Sequence, residues 1–143
     1  NVLECIEHMN RYSDLYLAEF SRRLKAPKRK MSDSYAQGYW GKKFTAGMLP
    51  GEKMIRMNTF KSKNPIGDQV ENTVIDTFIR QQEEFLEQLE KAKTADLNRN
   101  NCKLTIHLIK MRLGDTLQFY AFHNVRHVAQ AERVVASINK EGA

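Results

Sequence analysis

No stretch of this 143-residue chain runs apolar for the roughly 20 residues that a membrane-spanning helix needs. No charged, apolar and small-residue sequence of a secretory signal opens it either. There are two cysteines, Cys5 and Cys102, far apart in sequence. That spacing gives no disulfide framework and points to a reducing, cytoplasmic setting. Internal repeats and low-complexity segments are absent. The histidine helix described below lacks the glutamate of an HExxH protease helix, and nothing supplies a Ser-His-Asp or Cys-His pair. No motif that reads nucleic acid accompanies the basic residues, so a net charge of +6 is mild for a nucleic-acid binder and nucleic acid is not expected as a partner.

What remains is the composition of one globular domain, 41% hydrophobic and 28% charged, long enough to bury its own core across residues 1–143. Its charge is uneven. The segment "RRLKAPKRK" (residues 22–30) carries six basic residues and no acid, whereas "QQEEFLEQLEK" (residues 81–91) is acidic.

Hydrophobic spacing predicts three long amphipathic helices. The first runs from about Val2 to about Lys25, with Val2, Ile6, Met9, Tyr16 and Phe20 on one side. Cys5, His8, Tyr12 and Leu15 form the neighbouring stripe, and Pro27 ends the helix. The second starts at Asp68 as N-cap, with Glu71 closing a capping box, and runs to about Ala95 through Val74, Phe78, Phe85, Leu89 and Ala92. The third takes Asp115 as N-cap with Gln118 closing the box. Its inward stripe is Tyr120, His123, His127, Ala131, Val134 and Ile138, flanked by a second row of Leu117, Ala121, Val125 and Val128. Residues 26–67 are irregular, and the aromatics of "SYAQGYWGKKF" suggest an ordered loop with a short helix. "KLTIHLI" (residues 103–109) reads as a short strand or a single helical turn. The chain opens "NVLECIEH", without an initiator methionine and already inside a helix. Three long helices therefore imply a fourth, preceding Asn1 or lent by a partner chain.

The chemistry concentrates in "HNVRHVAQ" (residues 123–130). His123 and His127 stand one turn apart where a bundle helix would carry leucine. Two neighbouring imidazoles in a core each need hydrogen-bond partners, and one metal ion satisfies both. The alternative is a pair of core histidines with separate partners. His8, in "ECIEHMNRY" (residues 4–12), lies about two turns into its helix, and parallel packing of the first and last helices would set it level with His123. His107 reads as a packing or surface residue. Cys5 could be a fourth ligand but fits better as a small buried hydrophobe. Tyr12 and Tyr120 adjoin the histidines along their stripes, and could contact substrate or a ligand's hydrogen-bonding shell. Gln130 is placed to fix the tautomer of His127.

Taken together, "ECIEHMNRY", "LGDTLQFYAFHNVRHVAQAERV" (residues 113–134) and "TFKSKNPIGD" (residues 59–68) resemble the corresponding stretches of the DinB-like superfamily. The resemblance implies an all-α, up-down-down-up four-helix bundle whose first helix is missing from this segment. It also implies a divalent metal held by His8, His123 and His127, and a metal-dependent S-transferase, or a hydrolase, acting with a small thiol such as bacillithiol or mycothiol on an electrophilic small molecule. Asn124 stands where an acidic residue is common. Zinc and nickel come first as the metal, with iron and copper also open, since imidazole suits all four. The competing expectation is a non-enzymatic binding module with a structural metal and a basic surface for an anionic partner. A homodimer is expected from the uncovered flank of a three-helix unit.

Overall fold

The computed structural model describes residues 1–25, 34–48, 61–99, 101–103 and 110–141. Pro27, Lys28, Arg29, Lys30 and His107 lie outside the described residues. Four α-helices follow in order: α1 (Val2–Lys25), α2 (Tyr39–Ala46), α3 (Thr73–Ala92) and α4 (Leu113–Glu141). A 3₁₀ turn at Lys61–Lys63 precedes α3, and strands β1 (Asn101–Lys103) and β2 (Lys110–Arg112) precede α4. The strands pair antiparallel, Cys102 opposite Met111. The fold is an all-α bundle with this one small ladder among the described residues.

The relative direction of the helices follows from their side-chain bonds. Asn10 reaches the Val74 carbonyl at the start of α3, Gln81 reaches Asp14, and Gln88 reaches Ser21. Both sequence numbers rise together, so α1 and α3 run parallel, as a chain crossing back through residues 26–72 requires. Against α4 the numbers run in opposite senses, with His8 beside His127 and Ser13 bonded to Tyr120. Thus α1 and α4 are antiparallel, and the expectation of parallel neighbours is overturned. His8 meets the pair because α4 passes it on the way back.

The core sits where α1, α3 and α4 converge. Phe20 and Tyr120 are fully buried and meet edge to face at 5.8 Å, while Phe85 meets Tyr120 at 4.6 Å. Such pairs contribute about 0.5–1.5 kcal/mol each beyond the apolar area they bury. The α1–α3 seam is less apolar than the sequence pattern suggests. Gln81 and Gln88, seven residues apart, are buried and donate to the α1 carbonyls of Asn10 and Leu17. A long amide can cross the seam and find a main-chain acceptor for its N–H, which offsets part of the cost of burying it, while the Oε1 atoms of both residues stay buried and unpaired.

Both predicted N-caps are displaced. Asp68 is bound by the Arg11 guanidinium at 2.6 Å, and α3 begins at Thr73 with Asn72 as an N-cap that makes no side-chain bond. The helix also ends at Ala92, short of Ala95. Asp115 lies inside the first turn of α4, and its buried carboxylate accepts the Tyr35 hydroxyl at 2.5 Å and the Gly38 N–H at 3.1 Å. This latch docks α2 on α4 so closely that a Cβ on Gly41 would fall 2.4 Å from the Asp115 carboxyl carbon. Gln118, the expected partner in the box, instead accepts from Gln37. In the second apolar row of α4, Leu117 is buried but Val125 and Val128 are exposed. Among the described residues nothing covers the row beyond Ala121.

Candidate metal centre

His8, His123 and His127 come together, with one ring nitrogen of each lying within 4.8 Å of the others. Ring centroids are 4.5 Å apart for His8–His127 and for His123–His127, and 5.5 Å for His8–His123. His8 and His123 are buried, and His127 is half-buried.

Two of the three rings have their tautomer fixed by neighbours. His8 Nδ1 stands 3.0 Å from the carbonyl of Lys63, an atom that can only accept, so this nitrogen carries the proton and Nε2 keeps its lone pair. His127 Nδ1 stands 3.1 Å from Gln130 Oε1, with the same consequence. The Lys63 segment is itself tied to α1. The Lys63 ammonium donates to the Arg11 carbonyl at 2.8 Å, and Arg11 donates to the Asn64 carbonyl. His123 is the ring left short, its Nδ1 buried without a hydrogen-bond partner. An unpaired ring nitrogen in a core is costly, and coordination is one way to satisfy an imidazole there.

Electrostatics favour the neutral, ligating form. Burial pushes all three imidazoles below their ordinary pKa. For His123, placed well below, His127, His8 and Arg126 add to the effect of burial. His127 is brought down to about 4, by burial first and then by His8, against the opposing bond to Gln130. A tetrahedral ion about 2.1 Å from each nitrogen spaces its ligands about 3.4 Å apart, a distance three imidazoles reach by small side-chain rotations. The residues present therefore fit a divalent ion. All three donors are neutral, so the ion would keep its full charge and an open position.

The surrounding residues divide clearly. Tyr12 stands 4.9 Å from His8 and 5.0 Å from His123, centroid to centroid, and forms one wall. Tyr120 turns into the core, its hydroxyl paired with Ser13 at 2.7 Å. Asn124 faces α3 and donates to Gln82. Cys5 is not part of the histidine cluster, and burial raises its thiol pKa. The Lys63 carbonyl, a main-chain atom, leaves no side-chain signal in the sequence. Of the basic segment, Arg22 and Arg23 are bound to the buried carboxylate of Glu19. Burial opposes that charge, but the Lys103 N–H and the two guanidinium groups outweigh it and hold Glu19 below the usual carboxylate range.

Residues 1–131 match the family model described as the DinB superfamily. No curated protein and no solved structure matches the chain.

The depressed imidazoles give the metal-free protein a defined pH response. An unfolded chain protonates its histidines near pH 6.5, before the folded one does, so stability is complete above that pH. It should be lost progressively as pH falls from 6.5 toward 4. Thermal melts of chelator-treated protein should show Tm dropping by roughly 5 °C or more between pH 6.5 and 5, with a shallower slope in His127→Gln. A flat Tm across that window would contradict the burial of three neutral imidazoles.

Proposed function

Because the chain belongs to the DinB superfamily, we propose that it is a divalent-metal protein catalysing transfer of a small thiol onto an electrophile. The observation that carries this reading is the convergence of three neutral imidazoles, two with Nδ1 committed to carbonyl acceptors, the ligand position at His127 being half-buried. A divalent ion bound there, zinc or nickel first, supplies Lewis acidity and lowers the pKa of a thiol at its open position.

The protein's own part is orientation and exclusion. Lys63 and Gln130 hold His8 and His127 in one tautomer each, so the Nε2 lone pair of each is already free for an ion. Tyr12 packs against His8 and His123 on the inner side of the site, backed by Tyr16, and closes that side. The thiols the chain itself supplies are unsuited to attack. Cys102 is fully buried, with its pKa pushed up by burial to about 12, and Cys5 is raised as well. The nucleophile therefore comes from outside.

The same reading includes a second copy of the chain. Ile75, Ile79 and Leu86 on α3, with Val125, Val128, Val135 and Ile138 on α4, leave two exposed apolar rows. Between them runs an apolar groove lined by Ile6, Met9, Phe78 and Val128. Rows of this kind mark contact surfaces. Light scattering should give the mass of two chains, and a single-chain mass at all concentrations would remove the dimer.

The chemistry is tested with cobalt-substituted protein. Adding small thiols should produce a sulfur-to-metal charge-transfer band. His123→Ala should abolish the bound metal and turnover, and Cys5→Ser should spare both. Absence of a band with every thiol, together with loss of turnover in Cys5→Ser, would overturn the transferase reading.

A further inference from the structure

Among the described residues, α2 leaves open two aromatic rings whose burial would stabilise the fold: Tyr39 is 71% and Trp40 42% exposed. These rings begin an unbroken row. Tyr39 meets Trp40 at 5.3 Å, Trp40 stacks on Phe44 at 5.8 Å, Phe44 meets Phe119 edge-on at 6.2 Å, and Phe119 stacks on His123 at 6.3 Å. The row thus leads from the surface to a residue of the metal centre.

The platform is also rigidly held. Gly38, just before α2, donates to the buried Asp115, and the carbonyl of Gly47, just after it, accepts from Arg126 at 2.9 Å. Both anchors are on α4, the helix that carries His123 and His127. The four-residue spacing of Trp40 and Phe44 places their rings on one side of α2, within 21° of parallel. Such preorganisation lowers the ordering cost of a ligand that stacks there.

The ring faces select the ligand. An indole face is electron-rich and attracts cations and electron-poor rings, and Lys43 already places its ammonium 5.4 Å from the Trp40 ring centroid. We infer that Trp40, Phe44 and Phe119 form the binding wall for the electrophilic co-substrate, and that this co-substrate is a planar, electron-poor aromatic molecule. The inference rests on the transferase reading for the role of the ligand, but not for its binding.

Trp40 is the single tryptophan of the chain, so its fluorescence reports on the wall directly. The probe is 1,3-dinitrobenzene, electron-poor and without a leaving group, titrated into chelator-treated protein, with nitrocyclohexane as the non-aromatic control. Saturable quenching by the aromatic probe alone is expected, and Phe44→Leu should weaken it by about 2- to 10-fold through loss of one stacked ring. Linear quenching matching that of free N-acetyltryptophanamide, or equal quenching by nitrocyclohexane, would overturn the wall. Because no metal or thiol is present, the two readings fail separately. A cobalt–thiol band without saturable quenching removes only the wall, and saturable quenching without the band removes only the transferase.

Discussion

The antiparallel contact between α1 and α4 is the constraint on which the rest depends. It is fixed below the site by the buried Ser13–Tyr120 hydrogen bond and by the packing of Tyr16, Phe20 and Tyr120. With that register set, the only imidazole of α1 lies opposite two on α4. A shift of α4 by one turn would move His123 or His127 out of reach, so the core aromatics govern the site geometry though they never touch the ion. The crossover through residues 26–72 adds the carbonyl of Lys63 on one side and α2 on the other.

Burial of three imidazoles makes their protonation costly, visible as their depressed pKa values. Metal ions compete with protons for these nitrogens, so the lowered pKa values would favour metal binding at neutral pH and couple it to stability. Among the described residues no carboxylate joins the cluster. Position 124, next to His123, is occupied by an amide turned toward Gln82. Without a counter-charge from the protein, the bound ion would favour an anionic exogenous ligand, which is the state a thiol reaches on deprotonation.

The course of the long helices and the inward placement of the histidines were legible from apolar spacing. The grouping of all three came from the family resemblance, since the parallel packing that would have levelled His8 with His123 is not the one observed. The limits of α1 match the pattern, and His8, His123 and His127 were readable as polar intrusions in apolar stripes. Helix direction was not, since amphipathic periodicity is the same read from either end. The caps at Asp68 and Asp115 were misplaced because local propensity cannot see a distant Arg11 or Tyr35 competing for the carboxylate. Gln81 and Gln88 escaped notice for a related reason, as their acceptors are main-chain carbonyls on another helix. The ring row from Trp40 to His123 spans two helices and needed the fold before it could be seen.

The central claim is that one divalent ion sits among His8, His123 and His127. X-ray absorption on zinc-loaded, tag-free protein measures this most directly. The account predicts one ion per chain with three imidazole nitrogens at about 2.0–2.1 Å, and loss of the bound ion in His8→Ala. An unchanged metal content and first-shell spectrum in His8→Ala, or a shell without imidazole scattering, would contradict it.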